Sequence, residues 1–99
     1  RHGEALAVGM VAAARLSRDL GLLADREVAR VEELLGRMGY NLSLRGVSVD
    51  RLVEAFAQDK KVRDGRVRFV VLEGLGKAKL TDQVEIDQAR QVLAGMAGL

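Results

Sequence analysis

The chain has 99 residues, which suits one small domain or a piece of a larger protein. Its formal charge of +2, from 16 basic and 14 acidic residues interleaved along the sequence, excludes the electrostatic footprint of a nucleic-acid or anionic-membrane binder. With no cysteine, disulfides and thiolate metal sites are excluded as well, in keeping with a reducing cytoplasm.

Aromatic residues are confined to Tyr40, Phe56 and Phe69. Platforms for stacking bases are therefore missing, and any core must be built from Leu, Val and Ala. Such a core is thin for its length and is expected to lean on a neighbouring domain or subunit. The chain starts at Arg1 rather than methionine, which points to an excised or processed fragment. Residues 5–14 are apolar, but the run is about half a membrane span, Arg15 closes it, and no signal-peptide pattern is present.

Periodicity predicts four helices and one β ribbon, a mainly α domain over residues 1–99 with a small hairpin. The first helix should run from about His2 to Leu20, with Gly21 as the residue that ends it. Ala5, Gly9 and Ala13 recur every four residues and leave one face almost without side chains. A glycine inside a helix costs about 1 kcal/mol relative to alanine, so Gly9 is expected to serve close packing and this helix to be deeply packed. The second helix is expected over about 25–38, with Asp25 as N-cap, Glu27 in the dipole-favoured first turn, and Val28, Val31, Leu34, Leu35 and Met38 as its apolar stripe. Gly39 ends it, and residues 40–47 read as a loop.

Ser48 or Asp50 starts a third helix over about 49–61, with Leu52, Val53 and Phe56 inward. Asp64-Gly65 is a turn signal. The segment after it, Arg66-Val67-Arg68-Phe69-Val70-Val71-Leu72, first alternates charged with apolar residues, as a half-exposed strand does. Gly74 and Gly76 break the strand, and Lys77 to Val84 can return as its partner, giving a ribbon over about 66–84. Ile86, Ala89, Val92, Leu93 and Met96 mark a last amphipathic helix over about 86–97.

Two places could carry chemistry. His2 is the sole histidine and stands at a helix N-terminus, where the dipole disfavours protonation and keeps a lone pair free for a metal. A catalytic zinc usually takes three protein ligands, and no second ligand is paired with His2. On spacing alone it reads as a polar end residue, and nothing in the spacing identifies a metal site. Glu4 could orient the imidazole or satisfy backbone amides of the first turn. Asp59-Lys60-Lys61 is the second place. At 100° per residue Lys60 falls on the face of Leu52, Val53 and Phe56, and Lys61 on its flank. A lysine there either snorkels out at the helix end or aims at an anion such as phosphate. Arg66 and Arg68 read as the solvated face of a strand. Gly74-Leu75-Gly76 is not a nucleotide-binding loop, because no strand–turn–helix unit surrounds it.

The run His2-Gly3-Glu4-Ala5-Leu6-Ala7-Val8-Gly9-Met10 resembles the second histidine motif of the 3-dehydroquinate synthase family, HGEAVAIGM. The resemblance continues through Asp59-Lys60-Lys61-Val62-Arg63-Asp64-Gly65-Arg66-Val67-Arg68-Phe69-Val70-Val71-Leu72 and ends at Gly74-Leu75-Gly76. It covers nearly the whole chain and corresponds to the family's C-terminal, mainly helical region. It implies an NAD- and zinc-dependent (or cobalt-dependent) carbon–oxygen lyase. That enzyme converts 3-deoxy-D-arabino-heptulosonate 7-phosphate to 3-dehydroquinate and phosphate in the shikimate pathway, with the site in a cleft against an N-terminal NAD-binding domain. The resemblance implies that His2 is a zinc ligand and that the Asp-Lys-Lys segment gives a lysine to the substrate phosphate; the helical wheel favours Lys60 over Lys61. It further implies a cytoplasmic homodimer when full-length.

The family's other zinc ligands, its glycine-rich NAD site and its GHxxGHAIE-type motif are absent from these residues. The 99 residues alone are accordingly expected to be inactive and to bind neither NAD nor zinc well. Gly39-Tyr40-Asn41-Leu42 departs from the Gly-Leu-Pro turn common in the family. Another sugar-phosphate cyclase, such as 2-deoxy-scyllo-inosose synthase, would share these features. A non-catalytic helical interaction module would explain the small-residue face but not the Asp-Lys-Lys segment.

Overall fold

The computed structural model describes residues 2–59 and 69–98, without the side chains of His2 and of residues 55–59. Helix α1 spans His2–Asp19 and α2 spans Asp25–Arg37. Helix α3 spans Val49–Asp59, strands β1 and β2 span Phe69–Gly74 and Lys77–Thr81, and α4 spans Ile86–Met96. The fold is mainly α with one antiparallel hairpin.

Helix α1 organises the rest. It packs against α2, α4 and β1, while α3 packs on α4. Ala7, Val11, Ala14 and Leu16 are its buried apolar residues, and Val11 and Ala14 are wholly enclosed. The helix stops where Gly21 adopts φ +78°, a conformation that a Cβ would strain. Leu22 N–H then donates to the Ser17 carbonyl at 2.9 Å, closing the terminal turn.

Helix α2 begins at Asp25, as expected, but its cap lies one residue earlier than the sequence suggests. Ala24, not Asp25, is the N-cap, and Asp25 is the first helical residue. Ala24 has no side-chain acceptor, so only half of a capping box forms: its backbone N–H donates to Glu27 Oε1 at 2.9 Å. Val28 and Leu35 are buried against α1, Val31 is partly covered, and Leu34 and Met38 are each 59% exposed. The expected stripe is thus wider than the surface α1 offers it. Arg15 on α1 grips Glu32 on α2 with two hydrogen bonds of 3.1 and 3.0 Å.

Ser48 caps α3, accepting from Arg51 N–H at 3.3 Å. Val53 is buried, Leu52 is partly so, and Asp50 pairs with Arg90 on α4. The loop before α3 is tied down as well, since Leu44 N–H donates to the Met96 carbonyl at 3.1 Å. In the hairpin Phe69 faces Thr81 and Leu72 faces Ala78, with an irregularity between Leu72 and Gly74. Phe69 and Val71 point into the core, whereas Lys77–Leu80 of β2 is exposed throughout. The proposed Asp64-Gly65 turn and the strand residues 66–68 lie outside the described residues.

The core cluster draws Val11, Leu35, Val53, Val71, Val84, Val92 and Leu93 from all four helices and the hairpin region. One expectation is corrected. Although α1 is central, its small-residue face is not packed among the described residues: Ala5 and Gly9 are exposed, and nothing lies within 4 Å of where a Gly9 Cβ would stand. Of the apolar residues that α1 buries, Ala7, Val11 and Ala14 sit on the opposite face, while Leu16 lies at the inner end of the small-residue face.

Candidate functional site

His2 is the first residue of α1. The early turn of a helix carries backbone N–H groups without intrahelical partners and the positive end of the dipole. Glu4 in this turn complements that field. The neighbour of His2 is placed with little tolerance. A Cβ at Gly3 would stand 3.2 Å from Tyr40 Cε1 and 3.5 Å from the Tyr40 hydroxyl, so glycine is what lets the tyrosine ring rest on the helix start.

The end of α2 aims that ring. Gly39 turns the chain with φ +91°. Gly39 N–H donates to the Gly36 carbonyl at 3.0 Å and Tyr40 N–H to the Leu35 carbonyl at 3.3 Å, an arrangement that satisfies the last carbonyls of a helix. Tyr40 is partly buried against the core. The sequence alone marked it only as a loop residue departing from a Gly-Leu-Pro turn. Its approach to Gly3 joins positions far apart in the chain, and no local pattern signals that.

Lys60 and Lys61, with Arg63, Arg66 and Arg68, lie outside the described residues. The helix that leads to the lysines is described. It is described as far as Asp59, its face is fixed by buried Val53, and Arg90 holds its start through Asp50. Among the described residues α1 and α3 each pack on α4. The helix that bears His2 and the helix that precedes Lys60 therefore share one support.

The donor set for a metal is small. His2 is the one histidine in the sequence and cysteine is absent. Among the described residues no three of His, Asp and Glu converge where they could hold a metal ion. A catalytic zinc centre takes about three protein ligands. Of the surface concavities, one lies beside α2 and the hairpin turn and is lined by Arg26, Arg30, Glu27 and Glu33, whose charges offset each other. Another lies between α1, α4 and β1 and has only apolar residues and glycine in its walls. Among the described residues no helix is long and apolar enough to cross a membrane.

Residues 1–62 match the family described as 3-dehydroquinate synthase C-terminal. The chain is 41% identical to a 3-dehydroquinate synthase of Nostoc punctiforme over 96 residues, covering 96% of this chain and 26% of that protein. A protein of the same name from Corynebacterium jeikeium is 38% identical over 98 residues, 99% of this chain and 27% of its own length. One from a Synechococcus strain is 42% identical over 97 residues, 97% of this chain and 26% of its own length. The chain thus spans about a quarter of the length of the curated relatives it matches. With a family match over more than half its residues and identities near 40% across almost all of them, the chain belongs to the 3-dehydroquinate synthase C-terminal family.

Proposed function

We infer that this chain is the C-terminal helical part of a 3-dehydroquinate synthase. The whole enzyme then eliminates phosphate from 3-deoxy-D-arabino-heptulosonate 7-phosphate and closes the ring to 3-dehydroquinate. The observation that carries the reading is the family match beginning at Arg1 and His2, on a structure in which His2 starts the central helix. That the relatives reported above are named 3-dehydroquinate synthase, and not another cyclase, favours this substrate.

In this reading His2 gives one imidazole nitrogen to a divalent metal, zinc or cobalt, whose other ligands come from the rest of the polypeptide. Lys60, preferred over Lys61, presents an ammonium to the substrate phosphate as a point charge. NAD is held by an N-terminal domain of the same protein. The 99 residues alone are inactive, and the full-length enzyme is a cytoplasmic homodimer. The roles of this chain's own groups are to orient one ligand from a rigid helix start and to neutralise departing phosphate.

The test is direct. Full-length protein supplied with the heptulosonate 7-phosphate, NAD and zinc should release inorganic phosphate and 3-dehydroquinate in equal amounts. Phosphate release without 3-dehydroquinate, or no turnover, contradicts the reading.

A further inference from the structure

We propose that Tyr40 is a positioning residue for the metal site: its ring holds the start of α1 and so fixes the backbone from which His2 reaches a metal. This rests on the reading of His2 as a metal ligand. A ligand has to be held within about 0.5 Å of its productive place, and a helix end is the part of a helix that frays most readily. The first turn of α1 has little of its own to prevent that. Ala5 and Leu6 are exposed, and Gly3 and Glu4 are half-buried. Among the described residues the first buried side chain of α1 is Ala7, more than a turn beyond its start. Between the two, the outer edge of the Tyr40 ring rests on Gly3, where a Cβ would stand 3.2 Å from Cε1 and 3.8 Å from Cζ.

The ring is itself fixed from both sides, as a support has to be. Before it, Gly39 turns the chain and Tyr40 N–H donates to the Leu35 carbonyl at 3.3 Å. After it, Ser43 N–H donates to Asn41 Oδ1 at 3.1 Å, Leu42 packs on the core, and Leu44 is buried with its N–H on the Met96 carbonyl at 3.1 Å. An aromatic ring has two side-chain torsions and a rigid outer edge, so it transmits this fixity to the helix start at low entropic cost. Tyr40 touches neither metal nor substrate in this role; it acts through the Gly3 backbone.

Three variants of the full-length protein test this, with zinc affinity read by competition against a chromophoric chelator. Tyr40→Phe keeps Cε1 and Cζ and should keep the affinity of the parent. Tyr40→Leu keeps apolar contact with the core but stops short of Gly3, and its zinc dissociation constant should rise by about tenfold, the lower end of the range for residues that orient a metal ligand. In the metal-free protein the same variant should speed hydrogen exchange by roughly tenfold at the Leu6 and Ala7 amides, which the α-helical pattern bonds to the carbonyls of residues 2 and 3. Exchange at Val92 and Leu93 in the core of α4 should not change.

Parent-like zinc affinity in Tyr40→Leu overturns the proposal. Exchange that speeds up equally at Val92 and Leu93 also overturns it, because the contact then serves only general stability. Loss of affinity in Tyr40→Phe as large as in Tyr40→Leu assigns the effect to the hydroxyl and contradicts positioning by the ring edge. His2→Ala separates the two levels. Zinc kept in His2→Ala refutes the ligand assignment and the positioning role with it, whereas zinc lost there but kept in Tyr40→Leu refutes the positioning role alone. If Tyr40→Leu yields no soluble protein, Tyr40→Met fills the same space without a rigid edge and is held to the same outcomes.

Discussion

Replacing Ser17 with alanine tests how β1 is held to α1. The Ser17 side chain is fully buried. Its hydroxyl donates to the Ala13 carbonyl at 2.6 Å and accepts from Leu72 N–H at 2.7 Å. The two bonds are unequal in worth. The Ala13 carbonyl keeps its intrahelical partner when the hydroxyl is lost, so that bond matters little. Leu72 N–H loses its acceptor, and an orphaned buried donor costs about 1–3 kcal/mol. Leu72 is only partly buried, so water can reach it in part and the lower half of that range applies. Alanine returns about 0.5 kcal/mol through its better helix propensity. The net expectation is a loss of roughly 0.5–1.5 kcal/mol. Denaturant unfolding of the full-length protein should show a lower midpoint with an unchanged slope, and hydrogen exchange at the Leu72 amide should speed up. A midpoint that rises while the Leu72 amide stays protected would refute the argument, because helix propensity would then outweigh the tie between strand and helix.

Other perturbations give separable outcomes. Gly3→Ala places a Cβ 3.2 Å from the Tyr40 ring, which must shift by a few tenths of an ångström, so the gain of about 1 kcal/mol from replacing a helical glycine should be largely lost. Tyr40→Ala should restore most of that gain, so a double-mutant cycle should show coupling above about 0.5 kcal/mol; additive effects would deny the contact. Lys60→Ala in the full-length enzyme should raise KM for the heptulosonate 7-phosphate and slow phosphate release by roughly tenfold or more, the scale of one charge-assisted contact of 1.5–3 kcal/mol. If Lys61→Ala has this effect and Lys60→Ala does not, the helical-wheel choice between them is wrong.

The sequence told more about elements than about their meeting places. Val28 and Leu35 lie seven positions apart in α2, and both are buried; a 3.6-residue period places them on one face whatever the neighbour is. Gly21 and Gly39 stop their helices with positive φ, as a residue without a Cβ can. The same period cannot say how wide the neighbouring surface is, which is why Leu34 and Met38 belong to the stripe of α2 and yet face outward. Nor does spacing reveal contacts across the fold. Ser17 on Leu72 and Tyr40 on Gly3 are tertiary facts without a local signature. The open face of α1 is the clearest case, since small residues announce close packing but not the partner.

For the candidate site the limits were chemical. A single imidazole identifies nothing by spacing, and only the nine-residue run from His2 to Met10 gave it a meaning. The Asp-Lys-Lys segment likewise drew its functional reading from resemblance, because a lysine at a helix end also complements the dipole.

The account stands most directly on one measurement, the metal content and turnover of full-length His2→Ala. If His2 is a ligand of a shared metal centre, the variant should keep its helical circular dichroism, lose bound zinc in stoichiometric analysis, and fall to background in coupled release of phosphate and 3-dehydroquinate. Zinc retained at one equivalent with normal turnover would contradict the claim that this helix start supplies part of the active site.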